Sequence, residues 1–212
     1  MAKSKTRRRK HNRQAGGDQA NQQSAEAAPK KRLGAKPILY GLIALGVGAI
    51  GFGWWDSAKD ERAFMALVAE GKAAPGDIKV IRSDGRGHLT PGQTQRYRSR
   101  FPTSGIHEPI WTTPGVYDLP QPPTRLVHAL EHGHIVIYFD EPGDEAMATI
   151  KQWSDLYSAP WNGIVATKML GLGRKLVLTA WTRRLDLDPF APAAAARFID
   201  AFRGRGPENP VR

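Results

Sequence analysis

Residues Ile38 to Trp55 read ILYGLIALGVGAIGFGWW, eighteen in succession without a charged side chain. As a helix with ~1.5 Å rise per residue this run is about 27 Å long, nearly the ~30 Å of a bilayer's hydrocarbon core. A core helix of a globular domain would be shorter or carry a polar stripe, and this run has neither property. Tyr40 stands near one end and Trp54-Trp55 at the other, where aromatic residues gather at membrane interfaces. The run therefore predicts a transmembrane signal anchor over residues 37–55, and the chain on either side must fold, or not, without it.

The flanks set the orientation. Residues 1–36 carry eleven Lys/Arg against Asp18 and Glu26, a net of +9 out of the chain's +11, leaving +2 for the other 176 residues. Leu33 is the one large aliphatic residue in this tail. It cannot bury enough apolar surface to offset its ordering entropy, so a disordered tail is expected. Basic residues crowding the N-terminal side of a span place that side in the cytoplasm. The C-terminal domain is then periplasmic or otherwise extracytoplasmic, with the lipid bilayer as the first partner. Because the remainder is nearly neutral, no nucleic-acid partner is expected. Gly41, Ala44, Gly48 and Gly51 recur at helical spacing and leave a smooth ridge on which a second span could pack as a homodimer. Zero cysteines exclude disulfides, thiolate metal sites and thiol catalysis together.

Past the anchor, Ser57 followed by Asp60 opens a juxtamembrane helix over 56–74, with Phe64, Leu67 and Val68 as its apolar face and Gly71 at its end. The region 75–205 reads as one extracytoplasmic α+β domain, followed by a tail at 206–212. Ile78–Arg82 predicts a strand. Between 101 and 123 six prolines (102, 109, 114, 120, 122 and 123) exclude regular helix. Pro122-Pro123 can start a short helix reaching residue 132. His134–Asp140 reads as a strand buried on both faces. Met147, Ile150, Trp153 and Tyr157 recur at helical spacing within Asp144–Tyr157. Ile164–Lys168 and Lys175–Trp181 predict two more strands. Asp188 with Pro189 caps a last helix faced by Phe190, Ala194, Phe198 and Phe202. The expected architecture is a small, mostly antiparallel sheet with flanking helices.

The chemistry concentrates in histidine. Five of the six histidines fall between residues 88 and 134. On a helix over 123–132, His128 and His132 share one face at i, i+4 while Leu126 and Leu130 share the opposite one. Two such imidazoles can chelate one ion, and Glu131 lies between them. His-x-x-Glu-His is also the spacing of the inverted zinc-peptidase motif, in which the Glu is the general base. No downstream carboxylate offers a third ligand on this reading: Glu141 and Glu145 are too close in sequence, and Glu208 lies in the tail. His88 after a glycine-rich turn and His107 at the end of Pro102-Thr-Ser-Gly-Ile-His107 are the natural partners. Neutral imidazoles suit copper, zinc or another borderline ion. Core packing explains Met147 and Met169 better than soft ligation does, and aromatic packing explains Trp111, Trp161 and Trp181 better than a ligand pocket. Ser104 beside His107 is expected to hydrogen-bond backbone, not to act as a nucleophile.

Gly87-His88, Pro102-Thr103-Ser104-Gly105-x-His107, Gly115-x-Tyr117 and Val127-His128-Ala129-Leu130-Glu131-His132-Gly133 resemble the signature blocks of the bacterial domain of unknown function 3105 family. Thr179-Ala180-Trp181 resembles a further block. The resemblance covers about residues 75–205 and implies a single N-terminal span. It brings no established activity. Carried over by position, the motif histidines are His88, His107, His128 and His132. His134 stands where the family has a small residue, and Ile106 replaces a usual proline.

The sequence thus points to a metal centre of His88, His107, His128 and His132 on a membrane-anchored domain, binding zinc or copper. Two alternatives stand beside it. One is a metal-dependent hydrolase with Glu131 as base. The other is a metal-free interaction module in which the histidines form a structural cluster.

Overall fold

The computed structural model describes residues 57–73 and 77–212. The basic tail and the expected anchor at 37–55 lie outside the described residues. Among the described residues no helix is long and apolar enough to cross a membrane.

Helix α1 covers residues 57–73. Strands β1 (Ile78–Val80), β2 (Arg86–His88), β3 (Gly105–His107) and β4 (Gly115–Tyr117) follow, then α2 (Pro123–Glu131), β5 (Ile135–Phe139), α3 (Asp144–Leu156), β6 (Ile164–Lys168), β7 (Leu176–Ala180), β8 (Arg183–Leu187) and α4 (Pro192–Phe202). Six strands form one sheet in the order β1-β8-β7-β5-β6-β4, and β2 pairs with β3 apart from it.

The sheet is mixed, which corrects the expectation of a mostly antiparallel one. β1/β8, β8/β7 and β7/β5 are antiparallel, whereas β5/β6 and β4/β6 are parallel. The cause is connectivity. β4–α2–β5 and β5–α3–β6 are strand–helix–strand units, and a helical crossover returns the chain in the same direction. The small β2/β3 pair is parallel too.

β5 sits centrally and is buried along its whole length, as the run IVIYF implies. Ile135, Ile137 and Phe139 face α1, α3 and α4, packing with Phe64, Val68, Ile150, Trp153, Phe198 and Ile199. Val136 and Tyr138 face the other way, onto Leu126, Ala129 and Leu130 of α2. Three layers result, with α2 and the loop carrying Phe101 on one face of the sheet. α1 belongs to this body, since Phe64 packs edge-on against Trp153 and Tyr157. Gly71 does not end α1; it marks a close crossing, where a Cβ would meet the Ala193 carbonyl.

Three other details differ from the sequence reading. The proline-rich stretch contains β3 and β4, three residues each, because proline excludes helix without excluding short strands between prolines. β8 was not expected: Arg183-Arg184 hides its alternation, in which Leu185 and Leu187 point into the core. α4 begins at Pro192 rather than Pro189, with Ala191 as its N-cap residue. Met147 and Met169 pack against the two cores, as packing residues should.

Candidate metal centre

α2 is short because both ends are dictated by sequence. Pro123 occupies its first turn. At the other end Gly133 takes φ +94°, its N–H donates to the Leu130 carbonyl (3.0 Å), and the His134 N–H donates to Ala129 (3.0 Å). This is a Schellman termination, which needs a residue tolerant of positive φ. All residues from Leu126 to Glu131 are buried. The face carrying Leu126 and Leu130 packs on the sheet. The face carrying His128, Glu131 and His132 is covered by β3, the loop after it and the C-terminal segment.

His88 and His107 meet because β2 and β3 pair in register, His88 opposite His107. Ser104 helps hold that pair by accepting the Asp84 N–H (2.9 Å), the backbone role expected of it. Ring centroids are 5.1 Å apart for His88–His107, 5.0 Å for His88–His128 and 4.8 Å for His107–His128. His107 is fully buried, and His128, Glu131 and His132 are each 3% exposed.

Which nitrogen each imidazole presents follows from its backbone partner, because a carbonyl can only accept. His107 Nδ1–H donates to the Gly105 carbonyl (2.8 Å), and His128 Nδ1–H donates to the Glu108 carbonyl (2.8 Å). In their neutral forms both rings therefore turn an Nε2 lone pair toward the cluster. Glu108 is itself fixed: its carboxylate accepts from Thr124 and Arg125, and these hydrogen bonds hold it below the usual carboxylate range. Glu131 receives Arg86 Nε on Oε1 (2.7 Å), while its Oε2 lies 3.0 Å from His107 Nε2. That last contact lacks hydrogen-bond geometry, and His107 Nε2 has no hydrogen-bond partner among the described residues. A buried lone pair beside a carboxylate oxygen is unfavourable unless a cation or a proton joins them.

One ligand atom each from His88, His107, His128 and Glu131 lie within 4.8 Å of one another. Around a tetrahedral zinc with bonds of about 2.0 Å, ligand atoms stand about 3.3 Å apart, so an ion held here would draw these side chains inward. His132 is not in this group. It stands with His128 and Glu208 in a second one of the same span, its Nε2 3.0 Å from Glu208 Oε2, which is 3.8 Å from His128 Nε2. Trp161 stacks on the His132 ring at 4.2 Å and Trp111 lies against it at 4.4 Å. Burial lowers the His128 pKa, helped by the neighbouring histidines, and burial lowers that of His132 against the pull of Glu208. Both are thus kept in the neutral, ligating form.

His134 is a different kind of residue. Its Nδ1 accepts the Gly163 N–H (2.9 Å), which leaves the proton on Nε2 and no lone pair to offer.

Sequence reasoning missed Glu208. The C-terminal segment crosses the end of α2: Gly204 N–H donates to Gly133 (2.8 Å) and Glu208 N–H to Glu131 (3.2 Å). At Gly206 a Cβ would fall 2.2 Å from both the Glu131 carbonyl oxygen and the Gly133 nitrogen. The signal in the sequence was faint, a Gly204-x-Gly206-Pro-Glu208 run after the last helix. Glu141 and Glu145 belong to neither group.

No curated protein and no solved structure matches the chain. A family model described as "Protein of unknown function (DUF3105)" matches residues 88–212. That span starts at His88 and includes both ligand groups and the C-terminal segment. The chain belongs to the DUF3105 family.

Proposed function

We propose that this protein is a membrane-anchored, extracytoplasmic metal-binding protein that holds one zinc or copper ion on His88, His107, His128 and Glu131. The observation that carries the reading is the pair of Nε2 atoms presented by the buried residues His107 and His128. Each is fixed in its ligating tautomer by a backbone carbonyl, and one faces a buried carboxylate outside hydrogen-bond geometry. Three neutral imidazoles and one carboxylate suit a borderline dication. Arg86 on the far oxygen of Glu131 orients that carboxylate as outer partners of metal sites do. With Arg86 on Oε1 and Oε2 given to the ion, Glu131 has no oxygen left to act as the general base of a hydrolase.

The test is elemental analysis of the full chain, purified in detergent without a His tag, beside a His88→Ala/His128→Ala variant. The expected result is about one zinc or copper per wild-type chain and a loss of most of it in the variant. Equal metal content in the two proteins overturns the proposal. A metal-free wild type that folds normally returns the cluster to a structural, hydrogen-bonded role.

A further inference from the structure

His128 belongs to both ligand groups, and only one of its nitrogens is free. Nδ1–H is committed to the Glu108 carbonyl at 2.8 Å. The remaining Nε2 carries a single lone pair, which binds a single ion. A histidine can serve two ions at once only as an imidazolate using both nitrogens, and here Nδ1 is taken.

The two groups also differ in completeness. His88, His107, His128 and Glu131 offer four ligands, enough to close a tetrahedral shell. His128, His132 and Glu208 offer three and leave a coordination position open. The second group is nonetheless built. Trp161 stacks on the His132 ring and Trp111 lies tilted against it. Glu208 is delivered by a segment whose backbone is hydrogen-bonded to both Glu131 and Gly133.

We propose that the cluster is a single-ion centre with two alternative positions: a four-ligand holding position, and a three-ligand exchange position at His128, His132 and Glu208 through which a divalent ion enters and leaves. His128 stays bound while the others are swapped, so the ion passes between positions without losing all its protein ligands. The open position accepts water or a donor atom from another molecule. This inference rests on the metal reading above and deepens it.

Cobalt(II) alone, titrated into the metal-stripped full chain in detergent, tests it through ligand-field absorption and stopped-flow loading. Wild type should bind one Co²⁺ per chain. Glu208→Gln should keep that stoichiometry and spectrum but load at least ~10-fold more slowly. His88→Ala/His107→Gln should retain one weaker Co²⁺ with a changed spectrum, and adding Glu208→Gln should weaken it further by at least the ~10-fold that losing even a ligand's hydrogen-bond partner costs. His128→Ala should abolish both. Two Co²⁺ bound at once to wild type overturns the shared-ligand inference. Residual binding indifferent to Glu208→Gln overturns the second position. If the double variant fails to fold by circular dichroism, the Glu208→Gln loading rate decides, and an unchanged rate overturns the proposal. A wild type that binds no Co²⁺ overturns the metal reading itself, a result separate from these.

Discussion

At the scale of single residues, the useful distinction among the histidines is which nitrogen the backbone claims. His107 and His128 donate from Nδ1 to carbonyls and keep a lone pair for an ion. His134 accepts a backbone N–H on Nδ1 and keeps none. Burial, chiefly, pushes the His134 pKa down to about 4. The sign of the resulting pH dependence is fixed. Between pH 6.5 and 4 the unfolded chain takes up the proton and the folded chain does not, so acid favours unfolding. The stability from a neutral His134 is complete above about pH 6.5 and declines as pH falls toward 4. A pKa lowered from 6.5 to about 4 amounts to about 3 kcal/mol in all. Burial of His128 and His132 acts in the same direction. Urea unfolding with chelator present, at pH 7.5, 6 and 5, should show stability falling with pH, and a His134→Gln variant should show a shallower fall. A wild-type unfolding free energy that is flat across this range contradicts the assignment.

At the scale of elements, the end of α2 and the C-terminal segment form one joint. Gly133 has positive φ and would bring a Cβ within 2.8 Å of the Gly206 nitrogen. Gly206 leaves no space for a Cβ against the backbone of Glu131 and Gly133. Gly206→Ala therefore has to lift the segment off α2. Backbone clashes of this kind cost roughly 1–3 kcal/mol. The variant should melt at lower temperature and, without altering a ligand, reproduce the slow Co²⁺ loading of Glu208→Gln. Wild-type melting and loading in Gly206→Ala would show that the crossing does not deliver Glu208. Much of this level was legible beforehand. The period of residues 123–132 and Gly133 marked α2 and its end, and the unbroken apolar run marked β5. β8 was hidden by two arginines in its first positions. β3 and β4 were hidden because a three-residue strand is made by its partner across the pair, not by its own propensity.

At the scale of the whole molecule, the proposal puts the described domain outside the cytoplasm. An alkaline phosphatase fused after Arg212 of the full chain should be active, because that enzyme matures only outside the cytoplasm. A fusion active only as a cytoplasmic reporter reverses the orientation drawn from the eleven basic residues of the tail. What the linear order of residues decided by itself was local or compositional. It marked the apolar run, the basic flank, the apolar faces of the helices and the pairing of His128 with His132, because i, i+4 spacing makes neighbours on any helix (ring centroids 4.7 Å apart). The partition of the histidines was left to tertiary structure. Spacing cannot say that His132 turns to Glu208 while His128 also faces His88 and His107, or that parallel crossovers would make the sheet mixed. Those outcomes depend on backbone groups far away in sequence: the Glu108 carbonyl that fixes His128, the Gly163 amide that disarms His134, and the glycine crossing that carries Glu208 across the end of α2.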